Sequence, residues 1–402
     1  MSERKVHDTL LHNAWSDFCD ELKSMGDVML REQAPGNPTE RAEAFRLLSR
    51  NVGLALAFEL EYKDPQFPEL NHYFDPTRKQ GGDNTDACYV GAQINGSDHY
   101  RISGHRGTAS FFAITVVASG TTPWGGGVVS SLFEDDLRVD DDGYFELFIG
   151  PEPPADAATN PALNYIATTP DTFRITFRQF FSDWENEEPM RARIDCLSRS
   201  SQAPEITPQK IADGFQRASG WLRDSLTYWA DMIEKWKVQP NQFLSYRQLD
   251  DNAIDATPGG EPMICYWRLP ADEALIIRVV PPAADYWAVE FGNYWWESMD
   301  YRYRLSNTND HYAVLEDDGE LIVVVSHSDP GVPNWLDPSG HSEGYITYRW
   351  IGADHYPAPQ SQQVKRDSLF EHLPPTIQRY SSEQRREQLA ERRRGVSKRF
   401  PY

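Results

Sequence analysis

Asp83, Asn84, Asp86 and Tyr89 lie close together directly after the Gly81-Gly82 pair, and Arg101, His105 and Arg106 follow shortly downstream. Carboxylates beside arginine and histidine can hold different protonation states at one pH. One acid stays ionised while another group moves protons near neutrality. A glycine turn entering a strand also places such groups on a rigid scaffold. The patch therefore reads as a candidate acid–base site. Asp83 or Asp86 would transfer protons with His105, and Arg106 would orient a polar group or stabilise developing negative charge. Asn84, Tyr89 and Arg101 would complete its substrate-binding side. The plainer alternative is that Asp83 and Asn84 cap a turn and Arg101 pairs with Asp86.

A second constellation is aromatic. Tyr294, Trp295, Trp296, Tyr301 and Tyr303 interleave with Glu297, Asp300, Arg302 and Arg304. Under strand alternation so many rings cannot all face one core. Trp295, Trp296 and Tyr301 are expected to wall a pocket with Tyr294 and Arg302 beside them, and Asn334 is expected to join the substrate-binding residues. A subunit interface or core packing are the competing readings. His327 and Asp329, two apart, with His341 further on and His311 upstream, could ligate a divalent metal. They lack a distinctive pairing such as His-Glu-x-x-His. Nucleophile-elbow, phosphate-loop and dinucleotide fingerprints are missing, so no organic cofactor is expected. Asp140-Asp141-Asp142-Gly143 fails the calcium-loop pattern and reads as a hairpin. Gly125-Gly126-Gly127 reads as a flexible turn.

These groups need elements to hold them, and the sequence writes its elements twice. Tyr100 to Val117 lies over Leu275 to Gly292 without a gap: Ile102, Ala109 and Ala113 meet Ile277, Ala284 and Ala288. Asp141-Asp142-Gly143 then matches Asp317-Asp318-Gly319. Asn164-Tyr165-Ile166 with Phe177-Arg178 echoes Asn334-Trp335-Leu336 with Tyr348-Arg349. Three matches in one order indicate a duplication. Short strands punctuated by Gly, Asp-Gly and Pro predict two antiparallel β-sandwiches over 76–200 and 241–358. Leu11, Trp15, Phe18, Leu22, Met25 and Met29 form one helical face, and a second helical stretch follows within an N-terminal region of residues 1–75. Thr207 and Pro208 open the clearest helix, which joins the sandwiches across 201–240. Residues 359–402 form a basic tail, read either as a solvated end or as a clamp on a neighbouring subunit.

The formal charge, 39 − 61 = −22, argues against nucleic acid or an anionic membrane as partner. No apolar run approaches the ~20 residues of a membrane span, and the polar start lacks a signal-peptide core. Four dispersed cysteines (Cys19, Cys88, Cys196 and Cys265) read as buried thiols of a cytoplasmic protein. Cys88 and Cys265 fall near equivalent repeat positions.

Asp318, Gly319, Pro330, Asn334, Trp335, Leu336 and Arg349 resemble the motif of the domain-of-unknown-function family numbered 1214. Asn84, Asp86 and Tyr89 resemble the signature of its frequent partner, family 1254, with Ala87 in place of Thr. The resemblance implies β-rich, jelly-roll-like domains and names no reaction. Asp337 stands where the family usually has proline. The combined expectation is a homo-oligomeric, cofactor-independent enzyme of lyase or hydrolase type. Its substrate would be a small, largely apolar molecule bearing a hydroxyl or ester. A non-catalytic carbohydrate- or lipid-binding module, and a metal enzyme using His327, Asp329 and His341, are the rivals.

Overall fold

In the computed structural model, residues 3–155, 163–198, 202–246 and 259–401 are described. The expected boundary between residues 200 and 201 lies outside them. Helix α1 (Glu3–Met29) and α2 (Pro38–Leu56, capped by the Asn37 side chain) precede nine strands. These are β1 (Asn71–Phe74), β2 (Ala87–Gln93), β3 (Tyr100–His105), β4 (Phe111–Thr122), β5 (Gly125–Phe133), β6 (Tyr144–Gly150), β7 (Asn164–Ala167), β8 (Thr172–Phe180) and β9 (Arg191–Cys196). Helix α3 (Pro208–Trp236) begins at Thr207, whose side chain caps Lys210 N, with Pro208 in the first turn as the sequence predicts. Nine more strands follow: β10 (Phe243–Ser245), β11 (Met263–Arg268), β12 (Glu273–Val279), β13 (Tyr286–Asn293), β14 (Asn307–Asn309), β15 (Leu321–Ser326), β16 (Trp335–Leu336), β17 (Glu343–Ile351) and β18 (Gln360–Lys365). Helix α4 (Ser382–Arg399) closes the chain.

The duplication holds strand for strand. One half has sheets β1-β2-β8-β4-β5 and β7-β6-β3-β9, and the other has β10-β11-β17-β13-β14 and β16-β15-β12-β18. Each is a sandwich with its own apolar centre, around Ile114, Leu147 and Phe177 in the first and Val289, Val323 and Ile346 in the second. The pairing is antiparallel except for β6–β7 and β15–β16, which are parallel. At those parallel pairs Asn164 and Asn334 do the same work. Asn164 accepts from Arg138 N and donates to the Arg138 and Glu146 carbonyls. Asn334 accepts from Val314 N and donates to the Val314 and Ile322 carbonyls. The repeated Asn is a backbone lock, so Asn334 has no donor left for a substrate.

Register corrects one equivalence. Cys88 lies opposite Gln179, whereas Cys265 lies opposite Ile346, whose counterpart is Ile175. Cys265 thus corresponds to Ala92, and none of the four cysteines forms a disulfide. The second half also runs further than residue 358. Strand β18 pairs with β12 along its length and satisfies that strand's edge backbone groups, while the outer face of β12 and β15 is apolar and needs cover. Leu369, Leu373 and Ile377 then pack on Ile276 and Val324 of that face.

The two five-stranded sheets meet outer face to outer face. Phe111, Ala113 and Phe180 pack there against their repeat counterparts Tyr286, Ala288 and Ile351. Beside this seam Asp86 is fully buried and accepts hydrogen bonds from Trp184 Nε1 (2.8 Å), Tyr286 Oη (2.7 Å), Asn307 Nδ2 (2.6 Å) and Asn309 Nδ2 (3.2 Å). Its donors come from both halves. Helix α4 lies over the same place. Arg385, Arg392 and Arg399 repeat every seven residues on one face, and all three are buried. They reach Asp329, Asn307 and the Thr85 carbonyl respectively. The basic tail expected to clamp a neighbouring subunit therefore clamps the two halves of its own chain.

Asp86→Ala strands four inward-pointing donors and the nearby Arg392 charge in the interior. It is expected to lower the unfolding free energy by about 3–5 kcal/mol, measured by urea denaturation. A change under about 1 kcal/mol, the worth of one ordinary hydrogen bond, would show that Asp86 does not anchor the seam.

Candidate functional site: a cavity at the seam

Beyond the apolar part of the seam the same two faces turn polar, and they enclose a cavity of about 440 Å³. Alternation along β8 puts Arg174, Thr176 and Arg178 on this face, in line with Phe180. On β17 it puts Thr347 and Arg349 there, in line with Ile351. The two strands are repeat counterparts, so Thr176 with Arg178 and Thr347 with Arg349 are the same pair seen twice. Val117 of β4 and Ile264 of β11 add apolar wall. Trp124, Trp229 of α3 and Trp296 supply rings, and Phe74 and Tyr89 close another side.

Backbone geometry fixes one edge of the cavity. Gly81 and Gly82 both have φ +67°, and a side chain on Gly81 would meet the Trp229 ring at 2.6 Å. Gly82 N donates to the Trp296 carbonyl at 2.8 Å. Trp296 itself sits at φ 61°, an uncommon conformation for a bulky residue that carries strain of order 1–3 kcal/mol. The Asn293 side chain supports it, accepting from Trp295 N and Glu297 N. Next to this edge Asp83 Oδ2 accepts from Ser298 Oγ at 2.7 Å and Oδ1 from Ser298 N at 3.0 Å. Burial pushes its carboxyl above the ordinary aspartate range, against the opposing charge of Lys79.

The arginines differ in their partners. Arg349 holds Glu290 through Nε at 3.2 Å and Nη2 at 2.9 Å. Burial would lower its guanidinium, but the Glu290 charge, the nearby Tyr89 and Tyr286, and the Glu290 hydrogen bonds together raise it. At the position corresponding to Glu290 the first half has Thr115, and Arg178 donates to its hydroxyl at 2.8 Å. Burial brings Arg178 down to about 10. Arg174 donates to the Trp124 carbonyl at 2.6 Å and is likewise lowered by burial. Among the described residues neither Arg174 nor Arg178 meets a carboxylate.

Of the expected acid–base patch only Asp83 and Tyr89 reach the cavity. Asn84 is spent on a local turn, accepting from Asp86 N, and on Tyr286 Oη. Asp86 is the buried anchor described above. Arg101 and His105 lie on β3, in the other sheet of the first sandwich, and Arg106 just past it pairs with Glu134 at 3.1 Å. These residues share a stretch of sequence but no site. Of the aromatic run, Trp296 alone lines the cavity. Tyr294 donates to Glu234 on α3 and Trp295 to the Glu40 carbonyl on α2, both beneath helices. Tyr301 is core beneath Lys79 and Trp184, and Arg302 pairs with Asp300. The metal candidates also separate. His327 contacts the Leu269 carbonyl, Asp329 pairs with Arg385, and His341 pairs with Glu40. Among the described residues no three His, Cys, Asp or Glu side chains group to hold a metal.

Sequence reasoning missed Arg174, Arg178, Trp124 and Trp229 as site residues. For Arg178 a signal lies in the echo of Phe177-Arg178 by Tyr348-Arg349, an arginine repeated at one position of both copies. Gly125–Gly127 was also misread as a flexible turn. It opens β5 against β4, and Gly127 lines the cavity.

The class defined by this geometry is a duplicated β-sandwich protein with a ligand-sized cavity between its copies. The chain belongs to the family described as Protein of unknown function (DUF1214), whose model matches residues 84–183 and 275–355, one segment in each half. The crystal structure of an uncharacterised protein from Burkholderia cenocepacia is 32% identical with a TM-score of 0.84, covering 90% of this chain and 100% of that one. The VPA0106 protein from Vibrio parahaemolyticus is 12% identical at a TM-score of 0.46, covering 80% and 98%. No curated protein matches the chain. Among the described residues no helix is long and apolar enough to cross a membrane.

Lys79, buried beside Asp83, donates to the Ser298 carbonyl at 2.9 Å. Desolvation lowers it from 10.5 to about 8 although Asp83 pulls the other way. A depressed lysine contributes stability that is complete above its unfolded pKa and is lost as pH falls through the folded one. The unfolding free energy of the native protein relative to Lys79→Met should therefore rise between pH 8 and 10.5, by up to about 3 kcal/mol. A flat difference in urea titrations across that window would contradict the assignment.

Proposed function

We propose that this protein binds a small organic molecule in the seam cavity. An apolar body lies against Phe74, Trp124, Trp229 and Trp296, and a polar end points toward Asp83 and the arginines. The observation that carries this reading is the cavity's composition. A volume of about 440 Å³, walled by rings and a few converging polar groups, suits a small ligand. Its position between duplicated sheets supports the same conclusion. N-phenyl-1-naphthylamine, a neutral fluorescent probe of suitable size, should bind at one saturable site. Val128→Trp, which fills the cavity from β5, should abolish that binding while the protein stays folded. Binding that is absent in the native protein, or unchanged in the variant, would overturn the reading.

A second reading, favoured by the raised Asp83 carboxyl at the cavity edge, is cofactor-independent acid–base turnover of lyase or hydrolase type. Asp83 would then be the proton carrier, without the help of His105, Arg106 or Asp86. Hydrolysis of p-nitrophenyl butyrate above the buffer rate, lost in Asp83→Asn with probe binding kept, is the expected signature. A native rate equal to buffer, or an active Asp83→Asn, would leave binding as the function.

A further inference from the structure

The two halves present the same arginine to the seam and answer it differently. In the second half Glu290 neutralises Arg349 with two hydrogen bonds. In the first half the residue at that repeat position is Thr115, which offers Arg178 a single hydroxyl. Arg174, two strand periods away on the same face of β8, also lines the cavity, and its Nε is buried without a partner. The remaining charges nearby are Asp83, which faces Lys79, and Glu261. With Arg349 answered by Glu290 and Asp83 by Lys79, two guanidiniums, Arg174 and Arg178, stand against one carboxylate, Glu261, on the cavity wall among the described residues. Trp229 and Trp296 line the same space, and their indole N–H groups are buried without partners. Buried donors in a protein are normally satisfied, and guanidinium forks match a carboxylate bidentately. The second half displays the preferred partner directly, a carboxylate on the seam face of the neighbouring strand.

We infer that the seam cavity takes an organic anion, an apolar body bearing one carboxylate-type head, with the head held by Arg178 and Arg174 in the place that Glu290 fills in the other half. The inference rests on the seam cavity being the binding site and adds the charge class of its ligand. The chain's overall charge of −22 repels anions at long range. A preference for the charged member of a matched pair must therefore come from local groups.

The test compares 8-anilinonaphthalene-1-sulfonate with N-phenyl-1-naphthylamine, which shares its ring body and lacks the anionic head. A charge-assisted contact should make the sulfonate bind about tenfold tighter or better. Thr115→Glu, which gives Arg178 the carboxylate that Arg349 already has, should bring the sulfonate to the level of the neutral dye and leave the latter unchanged. Arg178→Gln should also remove the sulfonate's preference over the neutral dye and serves if Thr115→Glu does not fold. Equal affinity of the two dyes for the native protein would overturn the inference and leave the cavity reading intact. So would a preference that survives both variants. Failure of both dyes to bind would instead remove the cavity reading beneath it.

Discussion

The packing of two duplicated five-stranded sheets, outer face against outer face, is the constraint on which the rest of the structure depends. A sandwich normally turns its outer faces to water, so joining two of them requires apolar residues where they touch. Phe111, Ala113 and Phe180 meet Tyr286, Ala288 and Ile351 for that reason. Along the strands the apolar contact gives way to the polar pairs Thr176 with Arg178 and Thr347 with Arg349. The cavity is where contact ends. Helix α3, the Gly81-Gly82 turn and Trp296 complete its enclosure.

Duplication also explains why the site is asymmetric. The copies began with the same positions on the seam face, and each could change without disturbing the sandwich core beneath it. One copy keeps an acid, Glu290, against its arginine, and its Thr85 contact ties that acid to the linking turn. The other has Thr115 at the same place. On the proposed reading, scaffold and binding wall are divided between halves of one fold rather than between separate domains. The arginines of α4, buried at Asn307 and Thr85, fix the relative placement of the copies on which this division depends.

Much of the fold was legible in the sequence. The ungapped match of residues 100–117 with 275–292 fixed the pairing of β3–β4 with β12–β13, and Thr207-Pro208 marked the start of α3. The site was less legible, for physical reasons. Asp83, Asp86, His105 and Arg106 are close in sequence, but a strand reversal sends the last two to a different sheet. Clustered Tyr294, Trp295 and Tyr301 looked like a pocket because strand alternation cannot hide them all. They lie in turns that helices cover from outside, so they are core. Arg178 had no local signature of function. It becomes meaningful only when Thr115 is read against Glu290, a comparison across strands that requires the register.

The central claim is that the seam cavity, not the sequence cluster around Asp86 and His105, receives the ligand. A crystal structure with 6-bromo-2-naphthoate, phased to locate bromine by its anomalous scattering, tests this most directly. The bromine is predicted among Trp124, Trp229 and Trp296, with the carboxylate within hydrogen-bond distance of Arg178. A fully occupied bromine site elsewhere on the molecule, with the cavity holding only water, would contradict the account.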